Sequence, residues 1–245
     1  MENVAYIGLS RQMTLRRELD VVANNIANAN TTGFKVEQLM VGTEIGEGAR
    51  NDAIRPGVSF VLDRGVGRDY GQGQLEQTGR VLDFAIEGEG AFFTVQDGAG
   101  EAYTRDGAFT ISPEGLLVTA GGLPVLGDGG EIVLDPARGS PQVAGDGTIS
   151  QDGQVVGRLS VVRFDTLSVL EKGGNGLYRN TSNAQPVDAA DARIHQGMLE
   201  GSNVNAILEI TNLIEISRSY ERISKMIEQN NDLSRRSVER LGRVT

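Results

Sequence analysis

Cysteine and tryptophan are absent from this chain of 245 residues, and histidine occurs once, as His195. The lack of cysteine excludes disulfides, thiolate nucleophiles and zinc sites with cysteine ligands. A single histidine removes most histidine-based catalysis, because the ring needs an orienting acid and a nucleophile within reach. These absences count against an enzyme before any motif is considered.

Long apolar runs are missing too. No stretch of about 18 apolar residues occurs, so we expect no transmembrane helix and no membrane insertion. The opening MENVAYIGLSRQ has no basic stretch before an apolar core, and we expect no cleaved signal peptide. Acidic residues outnumber basic ones by 33 to 23, which gives a net charge of −10. That balance argues against nucleic-acid binding, because Lys and Arg must neutralise phosphates there.

Glycine is distributed unevenly along the chain. Of 33 glycines, 28 lie between Gly42 and Gly176. Glycine weakens helices and favours tight turns. The two glycine-poor ends therefore predict helices, and the glycine-rich middle predicts short strands joined by turns.

The N-terminal helix is predicted to run from Val4 to Asn28, ending before Gly33, which can take the positive φ of a helix cap. An apolar stripe lies on one of its faces because its members are four, three and four residues apart. The stripe consists of Leu15, Leu19, Val22 and Ile26.

The C-terminal helix is predicted to begin near the N-cap residues Ser202 and Asn203 and to end near Leu241. Its apolar residues are three or four apart, close to a heptad seam. They are Ala206, Ile210, Leu213, Ile216, Tyr220, Ile223 and Ile227. A helix of about 40 residues spans about 60 Å, so part of it must pack on something outside a domain of this size.

The middle of the chain is predicted to be β. Asp-Gly recurs at 97–98, 106–107, 128–129, 146–147 and 152–153, and Asn-Gly occurs at 175–176. Such pairs favour hairpin turns. Short apolar runs between them predict a small antiparallel sandwich or barrel, with strands near 82–86, 91–95, 107–111, 116–119, 131–134 and 159–164. Residues 42–75 have weak periodicity and are expected to be extended or irregular.

These patterns predict an α+β fold in which the terminal helices pair as a coiled coil around an inserted, mainly antiparallel β domain. The predicted parts are 1–34 with 201–245 (helical), 35–80 with 176–200 (extended connection) and 81–175 (β domain). Isolated helices depend on packing for stability. We therefore expect the ends to order on association with other subunits.

Several motifs resemble ligand sites but are incomplete. Gly88-Glu89-Gly90 does not complete a phosphate loop, and His195 lacks a nucleophile motif nearby. The carboxylate pairs Glu87 with Glu89 and Asp188 with Asp191 are expected by chance among 33 acidic residues. We therefore predict no catalytic, cofactor-binding or metal-binding residues, no cofactor and no small-molecule substrate.

Two polar clusters on the helices allow more than one interpretation. Asn24, Asn25, Asn28 and Asn30 either cap and fray the helix end or form amide ladders with neighbouring subunits. Near the C-terminus, Arg235, Arg236, Arg240 and Arg243 can contact an anionic surface or complement the helix dipole, and we favour the dipole.

Five segments resemble the bacterial flagellar basal-body rod and hook proteins. The strongest is Val21–Lys35, VVANNIANANTTGFK, and the other four are 82–93, 103–109, 115–119 and 196–204. The family signature residues are Asn24, Asn25, Asn28, Asn30, Thr32, Gly33 and Phe34. The chain length and the opening Tyr6–Gln12 favour a proximal-rod member of this family over a distal-rod member.

The resemblance implies a structural, non-enzymatic subunit of the rod that crosses the periplasm and transmits torque. It implies export through the flagellar type III apparatus without a cleaved signal, and assembly with copies of itself and other rod proteins. The terminal helices would form the inner coiled-coil layer, with Leu15 to Ile26 and Ile210 to Ile227 as packing residues. The alternative is a cell-wall-binding or glycan-acting β domain with helical oligomerisation arms, which an aromatic content of 5% disfavours.

Overall fold

The computed structural model describes residues 2–45, 59–98, 100–182 and 184–241. They form two compact units. The helical unit comprises Met1–Ala27, Glu37–Arg68 and Asn205–Thr245, and the β unit comprises Asn28–Val36 and Asp69–Val204. The chain therefore passes between the units four times. The three-part division inferred from the sequence stays a prediction.

The helical unit is built on two long helices, α1 (Glu2–Ala27) and α2 (Ala206–Leu241). They run antiparallel: Gln12 Nε2 donates to Ser224 Oγ at 3.1 Å, and Asn25 Nδ2 donates to Glu209 Oε2 at 3.0 Å. Gly8 lies so close to α2 that a Cβ there would be 3.0 Å from Ile227 Cγ1. The terminal helices are thus paired, and their description as a coiled coil stays a proposal.

A hairpin completes the helical unit. Its strands are β1 (Glu37–Ile45) and β2 (Ser59–Arg68), paired antiparallel from Glu37 opposite Arg68 to Ile45 opposite Ser59. Arg17 of α1 forms an ion pair of 2.8 Å with Asp63 of β2. Part of the segment predicted as extended or irregular is therefore a pair of strands packed on α1, with a register shift between Leu39 and Val41; residues 46–58 lie outside the described residues.

Among its described residues the β unit contains 17 further strands, and every pairing between them is antiparallel. They are β3 (Leu75–Gln77), β4 (Phe84–Glu87), β5 (Ala91–Asp97), β6 (Gly100–Thr104), β7 (Phe109–Ile111), β8 (Leu117–Thr119), β9 (Leu126–Gly127), β10 (Gly130–Glu131), β11 (Gln142–Val143), β12 (Thr148–Gln151), β13 (Gln154–Arg158), β14 (Val161–Arg163), β15 (Leu170–Lys172), β16 (Leu177–Asn180), β17 (Val187–Asp188), β18 (Arg193–Gln196) and β19 (Met198–Glu200). A 3-10 turn covers Leu167–Val169.

A six-stranded sheet organises this unit, in the order β15-β16-β6-β5-β14-β17. Alternate residues of a strand point to opposite faces, so β5 supplies both of the unit's cores. Phe93 and Val95 belong to the larger core, and Phe92 belongs to a smaller one with Tyr103 and Tyr178. The continuous apolar run of β5 therefore fits a strand that is covered on both faces of the sheet.

Two of the predicted turns have the expected backbone. Asp152 and Gly153 between β12 and β13, and Asn175 and Gly176 between β15 and β16, all have positive φ. Positive φ at both central residues is the conformation that Asn-Gly and Asp-Gly hairpins favour. The turn chemistry therefore placed these hairpins correctly.

The helix ends differ from prediction in two details. The N-cap of α2 is Asn205, whose Oδ1 accepts from the N–H groups of Ile207 and Leu208 at 3.2 Å. Asn203 instead accepts from Val36 N at 2.7 Å through Oδ1 and donates to Asp69 O at 2.9 Å through Nδ2. Gly33 has the expected positive φ, +66°, but α1 has already ended at Ala27, so Gly33 does not cap it.

Candidate assembly surface on the helical unit

The predicted packing residues fall into three levels of burial within the helical unit. Leu15 and Val22 of α1 are buried, together with Val21, which the stripe did not include. Most of the others are half-buried, and Ile210 is exposed. The half-buried residues are Leu19, Ile26, Leu213, Ile216, Tyr220, Ile223 and Ile227. The seam is therefore only partly covered by the chain's own atoms.

α2 is little covered by its own chain. Among its residues whose burial the structure describes, Glu209 alone is buried. Ile207, Ile210 and Ile214 are exposed, Ile207 to 80% of its surface. Because they are three and four residues apart, they share one face of the helix.

α1 carries a similar row near the other end of the helix pair. Tyr6, Leu9 and Met13 are exposed at the same three-and-four spacing, Met13 to 67%. The antiparallel pairing places this end of α1 beside the C-terminal half of α2, where Met226 and Leu233 are also exposed. The helix pair thus has exposed apolar side chains at both of its ends, a feature that marks interaction surfaces.

Asn25 joins three elements inside this unit. It is only 1% exposed; its Oδ1 accepts from Glu37 N at 3.0 Å and its Nδ2 donates to Glu37 O at 2.8 Å. The same Nδ2 donates to Glu209 Oε2 at 3.0 Å. The side chain therefore fixes the end of α1 to the starts of β1 and α2. Sequence reasoning singled out Asn25 but had no signal for Glu209, which lies 184 residues away.

Most of the other signature residues lie in the β unit and are held by it. Thr32 Oγ1 donates to Asp106 Oδ1 at 2.8 Å, and Gly33 N donates to Glu200 O at 2.8 Å. Phe34 is buried, with Lys172 Nζ 4.2 Å from its ring centre. Asn28 Oδ1 accepts from Thr31 Oγ1 at 3.2 Å. Asn30, and Asn24 in the helical unit, are exposed.

A buried ion cluster that sequence reasoning missed follows the signature. Lys35 Nζ lies 2.6 Å from Glu200 Oε1, and Arg105 Nη1 lies 3.2 Å from Glu200 Oε2. Gly73 N also donates to Glu200 Oε1, at 2.9 Å. Burial lowers the pKa of both Lys35 and Arg105, and the Glu200 carboxylate opposes that shift in each. Lys35 and Glu200 both lie in segments that resembled the family, but nothing in their spacing indicated that they pair.

The incomplete motifs in the β unit form hydrogen bonds and ion pairs at the surface. His195 Nε2 lies 2.8 Å from Glu87 Oε2, and this hydrogen bond lowers the pKa of the Glu87 carboxyl. Asp191 pairs with Arg163 at 3.1 Å, and Asp188 lies 4.0 Å from Arg158.

Within residues 2–45, 59–98, 100–182 and 184–241, no three His, Cys, Asp or Glu side chains are grouped closely enough to hold a metal ion. Neither described helix combines the length and the apolar character that a bilayer crossing needs.

Three family models match the chain. One for flagella basal body rod proteins matches residues 6–35, one for the D1 domain of flagellar hook proteins FlgE/F/G matches 85–157, and one for the C-terminal region of flagellar basal body rod FlgEFG proteins matches 195–240. They cover α1 with the signature, part of the β unit, and β19 with α2.

Proteins that match this chain over almost its whole length are flagellar basal-body rod proteins. The chain is 57% identical to the flagellar basal-body rod protein FlgF of Caulobacter vibrioides, over 100% of both chains. It is 36% identical to FlgF of Mesorhizobium japonicum, over 99% of both chains. It is 34% identical to the rod protein FlgG of Bacillus subtilis, over 93% of this chain and 95% of that one.

Proposed function

The chain belongs to the flagellar basal-body rod protein family, and we propose that α1 and α2 build it into the rod through their exposed apolar faces. It is a structural subunit of the rod. The similarity to FlgF proteins extends over the full length and reaches 57% identity, against 34% for the FlgG protein, which favours the proximal rod.

The exposed apolar surface of α2 is the observation that supports this role of the helices. α2 is 36 residues long, and its only buried side chain among those described is a glutamate, while three isoleucines share an exposed face. Burying one isoleucine stabilises an association by about 1.5–3 kcal/mol. A helix with this much apolar surface facing water is explained by neighbours that cover it in the assembled rod.

The partners follow from the same surface. Different faces at the two ends of a helix pair give head-to-tail, heterologous contacts, which extend into helical assemblies. We propose that the neighbours are copies of this chain and other rod proteins, and that the helices pack there as a coiled coil in the inner layer. Export through the flagellar type III apparatus without a cleaved signal, and torque transmission across the periplasm, belong to the same proposal.

The test is to replace the chromosomal gene with variants of the exposed row. Ile207→Asp and Ile214→Asp put a charge on the proposed contact without touching a buried residue, and we expect loss of the subunit from isolated basal bodies and loss of motility. Val155→Asp, at an exposed valine of the β unit, is the matched control. Normal incorporation of both isoleucine variants would refute the proposal.

A further inference from the structure

The helical unit contains a groove of about 250 Å³ that its own chain leaves open. α1, β1 and α2 line it with apolar, amide and carboxylate side chains. Val22 and Ile216 are apolar, whereas Glu18, Glu37, Glu209 and Glu215 carry carboxylates. Such a mixture suits a long side chain with an aliphatic stem and a cationic head, because the stem packs on carbon while the head meets oxygen.

Only some of the carboxylates in this groove have a positively charged side chain of the described residues beside them. Glu18 lies 3.6 Å from Arg11, and Glu37 lies 3.0 Å from Arg68. No ion pair within the described part of the chain involves Glu209 or Glu215. Two carboxylates of the groove therefore have room for a cation from elsewhere.

Glu209 is the groove carboxylate for which a positive charge nearby matters most. It is 8% exposed, and among the described residues its oxygens accept from two amides: Asn25 Nδ2 at 3.0 Å and Asn212 Nδ2 at 3.4 Å. A buried carboxylate is costly unless it is paired with a positive charge. A guanidinium entering the groove beside Glu215 would supply this charge.

The other end of the same helix presents the complementary surface. Leu233 is 60% exposed, and Arg236 is exposed three residues further along, so the two share a face. An apolar group beside a cation matches a groove with an apolar floor and free carboxylates. Contact with such a groove would be a second role for Arg236, in addition to its favourable interaction with the helix dipole.

Arg236 cannot reach the groove of its own chain. Glu209 and Arg236 are 27 residues apart in one continuous helix, about 40 Å at 1.5 Å per residue. A contact between Arg236 and the groove must therefore form between subunits. The family model that matches residues 195–240 describes the C-terminal region of flagellar basal body rod FlgEFG proteins, so a neighbouring rod subunit is the natural source of this segment.

We propose that the groove receives the basic C-terminal turns of the last helix of a neighbouring subunit of this family, with an arginine between Glu209 and Glu215. The inference rests on the proposed function and adds to it a defined contact. Because the acidic groove and the basic end lie at opposite ends of α2, like charges oppose neighbouring subunits that are parallel and in register.

The first experiment reverses charge at exposed positions in the intact protein in cells. We expect Glu215→Arg and Arg236→Glu each to lower the number of subunits in isolated basal bodies by about tenfold or more, since like-charge contacts cost several times the free energy of a tenfold change. Glu221→Arg, on an exposed site of α2 outside the groove, is the control and should incorporate normally. Circular dichroism of each purified variant checks that the fold is retained.

The second experiment identifies the occupant. A photo-crosslinking residue at position 215 should join the groove, in isolated basal bodies, to a peptide from the C-terminal turns of the last helix of a rod-family subunit. A crosslink to any other segment, or none, overturns the inference. Normal incorporation of Glu215→Arg and Arg236→Glu also overturns it, and if Ile207→Asp is lost under the same conditions, the proposed function still stands.

Discussion

Lys35 and Glu200, separated by 165 residues in sequence, meet as a fully buried ion pair with 2.6 Å between Nζ and Oε1. Arg105 approaches the other carboxylate oxygen at 3.2 Å. The cluster ties the segment after α1 to the strand that leads toward α2, both within the β unit. A rod subunit thus holds its family signature through buried charge rather than through apolar contact alone.

Breaking this pair should destabilise the β unit strongly. Lys35→Met leaves Glu200 buried with one counter-charge fewer, and we expect a loss of about 3–5 kcal/mol in the free energy of unfolding. Urea denaturation followed by tyrosine fluorescence measures it, because the chain has no tryptophan. Arg138→Met removes an exposed pair with Asp135 and should change stability by less than about 1 kcal/mol. Equal effects of the two substitutions would contradict this account.

Gly33 should tolerate no side chain. Its φ is +66°, and a Cβ there would lie 2.5 Å from the backbone carbon of Arg105. Gly79 has a similar φ of +71°, but a Cβ at that position would meet nothing within 4 Å, so it separates backbone strain from the clash. We expect Gly79→Ala to cost about 1–2 kcal/mol and Gly33→Ala clearly more. Thermal unfolding of the two variants side by side decides the matter, and the clash is unimportant if their midpoints coincide.

Asn25→Ala should lower the thermal stability of the helical unit. The substitution removes both hydrogen bonds to Glu37 and the amide donor of Glu209, and leaving such groups unpaired costs about 1–3 kcal/mol. The helical signal in circular dichroism should then melt at lower temperature, whereas exposed Asn30→Ala should leave it unchanged. Unaltered melting combined with lost incorporation would instead favour amide ladders between subunits.

The Glu87–His195 pair predicts a measurable pH effect. The hydrogen bond from His195 lowers the pKa of Glu87 below its ordinary value of 4.5. The pair's contribution to stability is therefore complete above pH 4.5 and is lost as the pH falls through the lower, folded pKa. Carboxyl NMR should show the pKa of Glu87 rising toward 4.5 in His195→Ala. Asp191, whose pKa is lowered by Arg163, should not move and serves as an internal control.

Local chemistry made much of this fold predictable. The predicted helix from Val4 to Asn28 corresponds to Glu2–Ala27, and the Asp-Gly and Asn-Gly turns at 152–153 and 175–176 have the required positive φ. These features depend on residues close together in the chain. The N-cap of α2 was misplaced because Asn203, a good capping residue, is already committed to Val36 and Asp69.

Contacts between residues far apart in the chain could not be predicted from the sequence. Nothing local indicated that β1 pairs with β2, that Lys35 meets Glu200, or that Asn25 meets Glu209. The apolar stripes indicate which helical faces to consider, but a stripe does not tell which residues are covered by their own chain and which are covered by a neighbour. The roles of Leu15 to Ile26 and Ile210 to Ile227 between subunits stay predictions.

The four passages of the chain between its units have a mechanical consequence. Peptide bonds cross at 27–28, 36–37, 68–69 and 204–205. Four peptide bonds therefore connect the units covalently, and cleavage of one leaves three intact. A single nick at any of these positions cannot detach the β unit, which gives a rod subunit a redundancy that one linker would not provide.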